Sequence, residues 1–101
     1  MPTTYRKTDT QIRAKVSEPF IIELEGNPTT GYQWHLTLDE SQVKLLDQQY
    51  QTTGSGFGGG GLERFVFQPV KRGKTSIHAT YKRQWETTSL EQQDFLVHIS
   101  D

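Results

Sequence analysis

A short segment from Gly26 to Trp34, Gly-Asn-Pro-Thr-Thr-Gly-Tyr-Gln-Trp, carries the most distinctive combination of residue types in the chain. Pro28 holds its own φ at about −65° and pushes Asn27 toward extended backbone. Glycines at both ends, Gly26 and Gly31, permit conformations that a Cβ would forbid. The tip is therefore stiff, and a stiff loop loses little entropy on binding. The segment predicts a preorganised binding loop.

Two other patterns resemble phosphate-binding motifs, and both lack the context that this chemistry needs. Residues 54–59 match G-x-G-x-x-G, but that motif binds a pyrophosphate only at the start of a helix, and no helical pattern follows. The run Gly73-Lys74-Thr75 is similar to the end of a phosphate loop, yet Gln68 stands where its first glycine is required. We therefore expect no nucleotide cofactor.

Catalytic and metal-binding chemistry has equally little support in the residue pattern. The three histidines, His35, His78 and His98, fall on polar strand positions with no cluster of carboxylates beside them. Such histidines are usually solvated surface residues, so no metal site is expected. No nucleophile elbow or paired-carboxylate cleft is visible either. The chain is not expected to be an enzyme.

Composition limits the remaining functions. With 101 residues, the chain is long enough for one domain, 1–101, with a single core. Lys and Arg (11) nearly balance Asp and Glu (12), and this net charge of −1 argues against nucleic-acid binding. The absence of cysteine excludes disulfides and a thiol nucleophile. No apolar run is long enough to cross a membrane, and residues 1–7 lack the apolar segment of a signal peptide. We expect a domain that is monomeric when free, and either cytoplasmic or periplasmic or secreted after loss of a signal.

Apolar residues recur at two-residue spacing through most of the chain, which predicts strands and not helices. The predicted strands cover 12–16, 20–24 after a bend at Pro19, 32–38, an irregular 43–52 anchored by Leu45, Leu46 and Tyr50, 65–67, 77–81 and 95–99. A short helical turn near 39–44 is an additional possibility. Seven or so short strands in a chain of this length predict an all-β fold, an immunoglobulin-like antiparallel β-sandwich.

Three long polar loops separate these strands, at 26–31, 53–61 and 82–93. One such loop comes after every second predicted strand, and alternate connections of a sandwich emerge at the same end. We therefore expect the three loops to cluster at one pole and to form a binding surface.

The two tryptophans are predicted to have different roles. Trp34 lies in strand phase with Tyr32 and Leu36, which is typical of a core residue. Trp85 stands in a loop among polar residues, with Tyr81 and Leu90 as its nearest apolar neighbours in sequence. An exposed tryptophan docks either on its own domain or on a partner, and we favour a partner because Trp is enriched at interface hot spots.

These three loops together resemble the chagasin family of inhibitors of papain-like cysteine peptidases, over residues 12–100. The family motif N-P-T-T-G-Y/F is matched by Asn27, Pro28, Thr29, Thr30, Gly31 and Tyr32. The motif G-x-G-G is matched by Gly58, Gly60 and Gly61, or else by Gly56, Gly58 and Gly59. The first alignment is preferred because a strand then follows directly. The motif R-P-W is matched by Arg83, Gln84 and Trp85, with Gln84 in place of the proline.

The resemblance implies a tight, reversible inhibitor whose partners are papain-like, cathepsin-type peptidases. The first loop, which carries Thr29 and Thr30, would enter the cleft over the catalytic Cys and His, with Thr29 nearest the thiolate. Small hydroxyl groups can hydrogen-bond there without presenting an aligned scissile carbonyl. The glycine loop would add its backbone to the non-primed groove as a strand. Trp85 would pack on the primed side, with Arg83 bonding to nearby acceptors.

An alternative from another class is an adhesion or scaffolding sandwich that binds a protein partner through the same loops without inhibiting it. The feature that favours the inhibitor is the threonine pair after Asn27 and Pro28, because a generic adhesion loop does not need it.

Overall fold

The computed structural model describes residues 3–26, 31–52 and 61–101, and within these ranges it contains eight β-strands and no helix. The strands, in chain order, are β1 (Thr3–Arg6), β2 (Gln11–Lys15), β3 (Phe20–Gly26), β4 (Tyr32–Thr37), β5 (Val43–Thr52), β6 (Gly61–Pro69), β7 (Gly73–Arg83) and β8 (Glu91–Ser100). The all-β prediction is confirmed. A single turn precedes β5, where the Asp39 carbonyl accepts the N–H groups of Gln42 and Val43, both at 3.0 Å.

The strands form two four-stranded sheets, ordered β1-β3-β6-β5 and β2-β8-β7-β4. The predicted sandwich is confirmed, with one difference in strand direction. β1 pairs parallel with β3, and β2 pairs parallel with β8, whereas the sequence predicted antiparallel pairing throughout. A tight hairpin cannot join parallel neighbours, and both parallel pairs indeed join strands that are not consecutive. Alternation of apolar residues carries no information about strand direction, so the pattern could not reveal this.

The core lies between the two sheets and is built from alternate residues of seven strands. Its buried members are Ile12, Phe20, Ile22, Leu24, Trp34, Val43, Phe65, Phe67, Ile77, Ala79, Phe95, Val97 and Ile99. The period-two pattern is clearest in β6, where every second residue from Gly61 to Pro69 is buried. The predicted core position of Trp34 is confirmed, because its side chain is only 4% exposed.

The anchors predicted for β5 were wrong. Leu45, Leu46 and Tyr50 are all exposed, and among the side chains described for residues 43–51 Val43 is the buried one. The pairing of β5 with β6 shifts between Leu45 and Asp47, so one extra residue bulges out of the ladder at that point. A bulge interrupts the alternation of faces, and β5 is the edge strand of its sheet. For both reasons Leu45, Leu46 and Tyr50 do not reach the core.

Several strand boundaries also differ from the prediction, and two of them redefine the third loop. β7 continues to Arg83 and β8 begins at Glu91, so the third loop is 84–90 and not 82–93. Polar side chains there are compatible with a strand because the backbone supplies the pairing, as in Tyr32 with Arg83 and Tyr81 with Glu91. The sequence pattern also missed β1, whose four residues include one partly buried side chain, Tyr5.

The roots of the three loops meet at one end of the sandwich, as predicted. Gly61 pairs with Gly26 on one side and with Thr52 on the other, which brings together the ends of β3, β5 and β6. In the other sheet, Tyr32 at the start of β4 pairs with Arg83 at the end of β7. We call this end of the molecule the loop pole.

Candidate functional site

The predicted site residues divide into two groups. Asn27, Pro28, Thr29, Thr30, Gly58 and Gly60 lie outside the described residues, as do Gly56 and Gly59 of the alternative alignment. The described group consists of Gly31, Tyr32, Gly61, Arg83, Gln84 and Trp85. All of the second group lie at the loop pole, in three strand ends and one turn.

Gly61 is required by the close approach of β5 to the root of the second loop. A Cβ at this position would lie 2.5 Å from both the Gln51 carbonyl oxygen and the Tyr50 hydroxyl. Real Cβ atoms essentially never come so close to other heavy atoms, so any side chain would push β5 and β6 apart. The last glycine of the second motif therefore brings the ends of these two strands together.

Gly31, at the end of the first loop, lies close to the third loop in space. Its φ is +84°, a left-handed conformation that side chains with a Cβ rarely adopt. A Cβ built on Gly31 would lie 3.7 Å from Arg83 Nε and 3.8 Å from a carbon of the Trp85 ring. The end of the first loop is thus in direct reach of the two residues that define the third motif.

A continuous row of rings and one guanidinium leads from the core to the surface of the loop pole. The ring centroids of Trp34 and Tyr81 are 5.0 Å apart, and those of Tyr81 and Tyr32 are 5.5 Å apart. The guanidinium carbon of Arg83 lies 4.6 Å from the centroid of Tyr32 and 5.9 Å from that of Trp85. Both distances are within the range of cation–π attraction. We call these five residues the aromatic row.

The last member of the row, Trp85, is 75% exposed, so its predicted exposure is confirmed. It sits in a turn in which Glu86 donates its N–H to the Arg83 carbonyl at 3.1 Å, and Lys82 Nζ donates to the Glu86 carbonyl at 2.9 Å. Arg83 Nε lies 4.0 Å from Glu86 Oε1. The turn and the guanidinium together hold a large apolar ring out in solvent.

Two residues of the site were not identified from the sequence. The alternating pattern predicts only an ordinary strand residue at Tyr81, although this residue stacks between Trp34 and Tyr32 in the aromatic row. Glu63 is 7% exposed and accepts the Trp34 N–H at 3.2 Å. Burial raises the pKa of the Glu63 carboxyl, and this hydrogen bond opposes part of the rise. The signal that could have revealed Glu63 is its position in phase with Phe65 and Phe67.

Among residues 3–26, 31–52 and 61–101, no three His, Asp or Glu side chains are grouped so that they could hold a metal ion. The residues that follow the glycine-rich motif at 54–59 form β6, a strand and not a helix. Over the same described ranges there is no helix long and apolar enough to span a membrane.

Replacing Gly31 with alanine is expected to lower the free energy of unfolding by about 1–2 kcal/mol, the cost of holding a Cβ-bearing residue in left-handed backbone. The contacts of the added methyl are ordinary at 3.7–3.8 Å, so the cost comes from the backbone. Urea denaturation measures it. Gly31→Asn is the control, because asparagine tolerates this conformation and should lose less. Equal losses for both variants would contradict the conformational explanation.

Comparison with known proteins gives a consistent answer. Residues 13–99 match the sequence profile described as Chagasin family peptidase inhibitor I42. Chagasin from Trypanosoma cruzi is 28% identical over 90 residues, which span 83% of this chain and 82% of chagasin. The cysteine protease inhibitor EhICP2 from Entamoeba histolytica superposes with a TM-score of 0.85 at 22% identity, over 96% of this chain and 94% of EhICP2. PbICP-C, solved in complex with falcipain-2, superposes with a TM-score of 0.61 at 21% identity, over 99% of this chain and 90% of PbICP-C.

Proposed function

The chain belongs to the chagasin family of peptidase inhibitors, and we propose that it inhibits papain-like cysteine peptidases by placing its loop pole in the active-site cleft. The family consists of inhibitors and not of enzymes. PbICP-C, which shares the fold of this chain, was solved in complex with falcipain-2. The observation that carries the proposal for this chain is the aromatic row, which ends in a tryptophan that is 75% exposed.

An exposed tryptophan on a rigid support suits a binding role. Trp85 gains little from its own domain, because three-quarters of its surface is in solvent. Its orientation is nevertheless restricted by Arg83 and by the turn that ends at Glu86. A preordered ring loses little entropy when a partner covers it. Buried tryptophan and arginine side chains are the commonest hot spots of protein interfaces.

The first loop is proposed to occupy the cleft itself. Its two described ends, Gly26 and Gly31, are held at the loop pole, and Thr29 and Thr30 lie between them in sequence. We assign Thr29 to the position nearest the catalytic thiolate and Thr30 to hydrogen bonds beside it. Asn27 and Pro28 set the shape of this loop, and the loop blocks the cleft without offering an aligned scissile bond.

The second loop is proposed to bind as backbone. Gly58 and Gly60 carry no side-chain bulk, so this segment can pair with an extended groove as an added strand. Gly61 supports the proposal, because it brings the ends of β5 and β6 together at the root of this loop. Tyr32 contributes from β4 by supporting the Arg83 guanidinium.

Titration of the purified domain into papain and a cathepsin-type peptidase tests the proposed function. Residual hydrolysis of a fluorogenic peptide gives the inhibition constant, and a gel shows whether the inhibitor is cut. We expect reversible inhibition in the nanomolar range, about −12 kcal/mol in binding free energy, with the inhibitor intact. Binding without inhibition would support the adhesion or scaffolding alternative. Cleavage within residues 26–31 would show that the chain is a substrate of the peptidase and not its inhibitor.

Replacing Gln84 with proline is expected to tighten inhibition and raise the free energy of unfolding, each by about 0.4–1 kcal/mol. Gln84 is the second residue of the turn from Arg83 to Glu86, a position that favours proline, and the hydrogen bond of the turn is donated by Glu86. Inhibition constants and urea denaturation measure the two effects. Gln84→Ala serves as the control and should change neither appreciably. Weaker inhibition by a stably folded proline variant would mean that this turn differs from the family's.

A further inference from the structure

Glu63 is the only charged side chain that is buried in the described part of the chain. It lies on β6 at a position where neighbouring inward residues, Phe65 and Phe67, are apolar core members. A carboxyl group in such a place loses solvation, so it needs a specific partner to be tolerated. What it contacts is therefore informative about its role.

The carboxylate contacts residues on both sides of the first loop. Glu63 Oε2 accepts the N–H of Trp34 on β4 at 3.2 Å. A Cβ placed on Gly26, the last residue of β3, would lie 2.9 Å from the same oxygen. The backbone of Gly26 is thus close against the carboxylate. Glu63 Oε2 therefore lies between Gly26, which precedes the first loop, and β4, which follows it.

The strand arrangement gives this contact its importance. β4 is an edge strand of its sheet, and the N–H of Trp34 is donated to Glu63, which belongs to the other sheet. A buried N–H without a partner costs free energy. A second bond also crosses between the sheets here, because Trp34 Nε1 donates to the Glu25 carbonyl at 2.9 Å. Trp34 on β4 is thus bonded to Glu63 on β6 and to Glu25 on β3, and the second of these bonds joins the two strands that flank the first loop.

We propose that Glu63 is a positioning residue for inhibition, which holds the two roots of the first loop at the separation that lets the loop enter a peptidase cleft. This role rests on the proposed function. Glu63 is itself too buried to contact a peptidase, so its effect passes through Trp34 and Gly26.

The groups around Glu63 are mostly uncharged. Tyr50 on β5 pairs with Glu63. A ring carbon of Tyr81, on β7, lies 3.6 Å from the position that a Cβ on Gly26 would occupy. Leu24 on β3 also pairs with Glu63. The charged neighbours on β6 and β3 are Arg64, Glu23 and Glu25, of which Arg64 and Glu23 form an ion pair at 3.5 Å. A cavity of about 290 Å³ is lined by Glu63 and Tyr50 together with Gln33, Gln48 and Gln49.

The protonation of Glu63 supplies a signature for this role. Burial raises its pKa, so the folded state retains the proton at pH values where the unfolded chain has lost it. Stability should therefore fall as pH rises from about 4.3, the ordinary glutamate pKa, through the higher pKa of the folded state, and then level off. The ionised carboxylate forms the stronger, charge-assisted bond to the Trp34 N–H.

The test combines Glu63→Gln, which keeps an acceptor without a charge, with Glu63→Leu, which removes the acceptor. In ¹⁵N–¹H spectra of the wild type, the Trp34 amide should titrate with a midpoint above the ordinary glutamate pKa, and in Glu63→Gln it should not. Inhibition of papain by Glu63→Gln should stay within about threefold of the wild type. Glu63→Leu should weaken inhibition about tenfold or more, as expected when a buried donor loses its partner.

Ile99→Ala is the matched control, because Ile99 is a core residue that pairs with Gly73 at the end of the sandwich opposite the loop pole. It should lower the unfolding midpoint while leaving inhibition within about threefold. Full inhibition by Glu63→Leu, or an equal loss in Ile99→Ala, would overturn the positioning role. A Trp34 amide that does not titrate would overturn the contact itself. If the wild type inhibits no papain-like peptidase, the proposed function fails, and the amide titration still decides whether Glu63 holds the loop roots.

Discussion

Replacing Trp85 with alanine is expected to weaken inhibition of a papain-like peptidase by about 2–4 kcal/mol, or roughly 30- to 1,000-fold in the inhibition constant. The ring is 75% exposed in the free protein and has its position restricted by Arg83. Covering it on a partner would remove a large apolar surface from water at little entropy cost. The change should appear mainly as faster dissociation, which progress curves of inhibition measure.

The stability of this variant separates binding from folding. The free energy of unfolding should fall by less than about 1 kcal/mol, because only an exposed cation–π contact with Arg83 is lost. Leu46→Ala is the control for removing an exposed apolar side chain, since Leu46 is 52% exposed and lies roughly 20 Å along β5 from the loop pole. It should inhibit like the wild type. An unchanged inhibition constant for Trp85→Ala would show that Trp85 does not contribute to the interface with the peptidase.

Replacing Trp34 with alanine is expected to lower the free energy of unfolding by about 3–5 kcal/mol, as is typical for large-to-small changes at a buried aromatic residue. Trp34 is 4% exposed, and its ring packs against Tyr81. The variant also loses the bond from Nε1 to the Glu25 carbonyl, which joins the two sheets at the loop pole. Urea denaturation followed by far-ultraviolet circular dichroism measures the loss.

Trp34→Phe divides this effect into two parts. Phenylalanine fills most of the volume but cannot donate to the Glu25 carbonyl, so a smaller loss of about 1–2 kcal/mol is expected. If alanine at this position cost less than about 1 kcal/mol, Trp34 would not be a core anchor. The two tryptophans should thus differ, with Trp34→Ala causing a large loss of stability and Trp85→Ala affecting mainly inhibition.

The contrast between the two tryptophans could be predicted from the sequence because each depends on its local setting. Trp34 alternates with Tyr32 and Leu36 in a run of period two, and Trp85 is surrounded by polar residues. Both predictions agree with their burial. The clustering of the three loops also followed from local information, because it requires only the order of strands and loops in a sandwich.

What the sequence could not reveal depends on contacts between distant residues. Leu45 and Leu46 look like core residues, but the register shift that follows in the pairing with β6 leaves both exposed. A bulge has no reliable signature in apolar spacing. Likewise, the strand β1 contains one partly buried residue and exists because it pairs along β3.

In the candidate site, too, some residues could be predicted from local sequence and others depend on contacts between distant residues. The motif residues Gly31, Arg83 and Trp85 could be selected from their types and order, and they lie together in the structure. The supports beneath them, Tyr81 and Glu63, could not, because their roles arise from stacking and hydrogen bonding across the two sheets. Residue type therefore predicted the motif residues at the surface of the loop pole. The residues that support them are determined by contacts between the two sheets.

The central claim is that the loop pole is the surface that contacts the peptidase, and hydrogen–deuterium exchange of the domain with and without papain tests it most directly. We predict that slowed exchange on complex formation is concentrated in residues 26–32, 53–61 and 83–90, with the outer faces of both sheets unchanged. Slowed exchange confined to β1, β2 or the turn between β6 and β7, at the other end of the sandwich, would contradict the account.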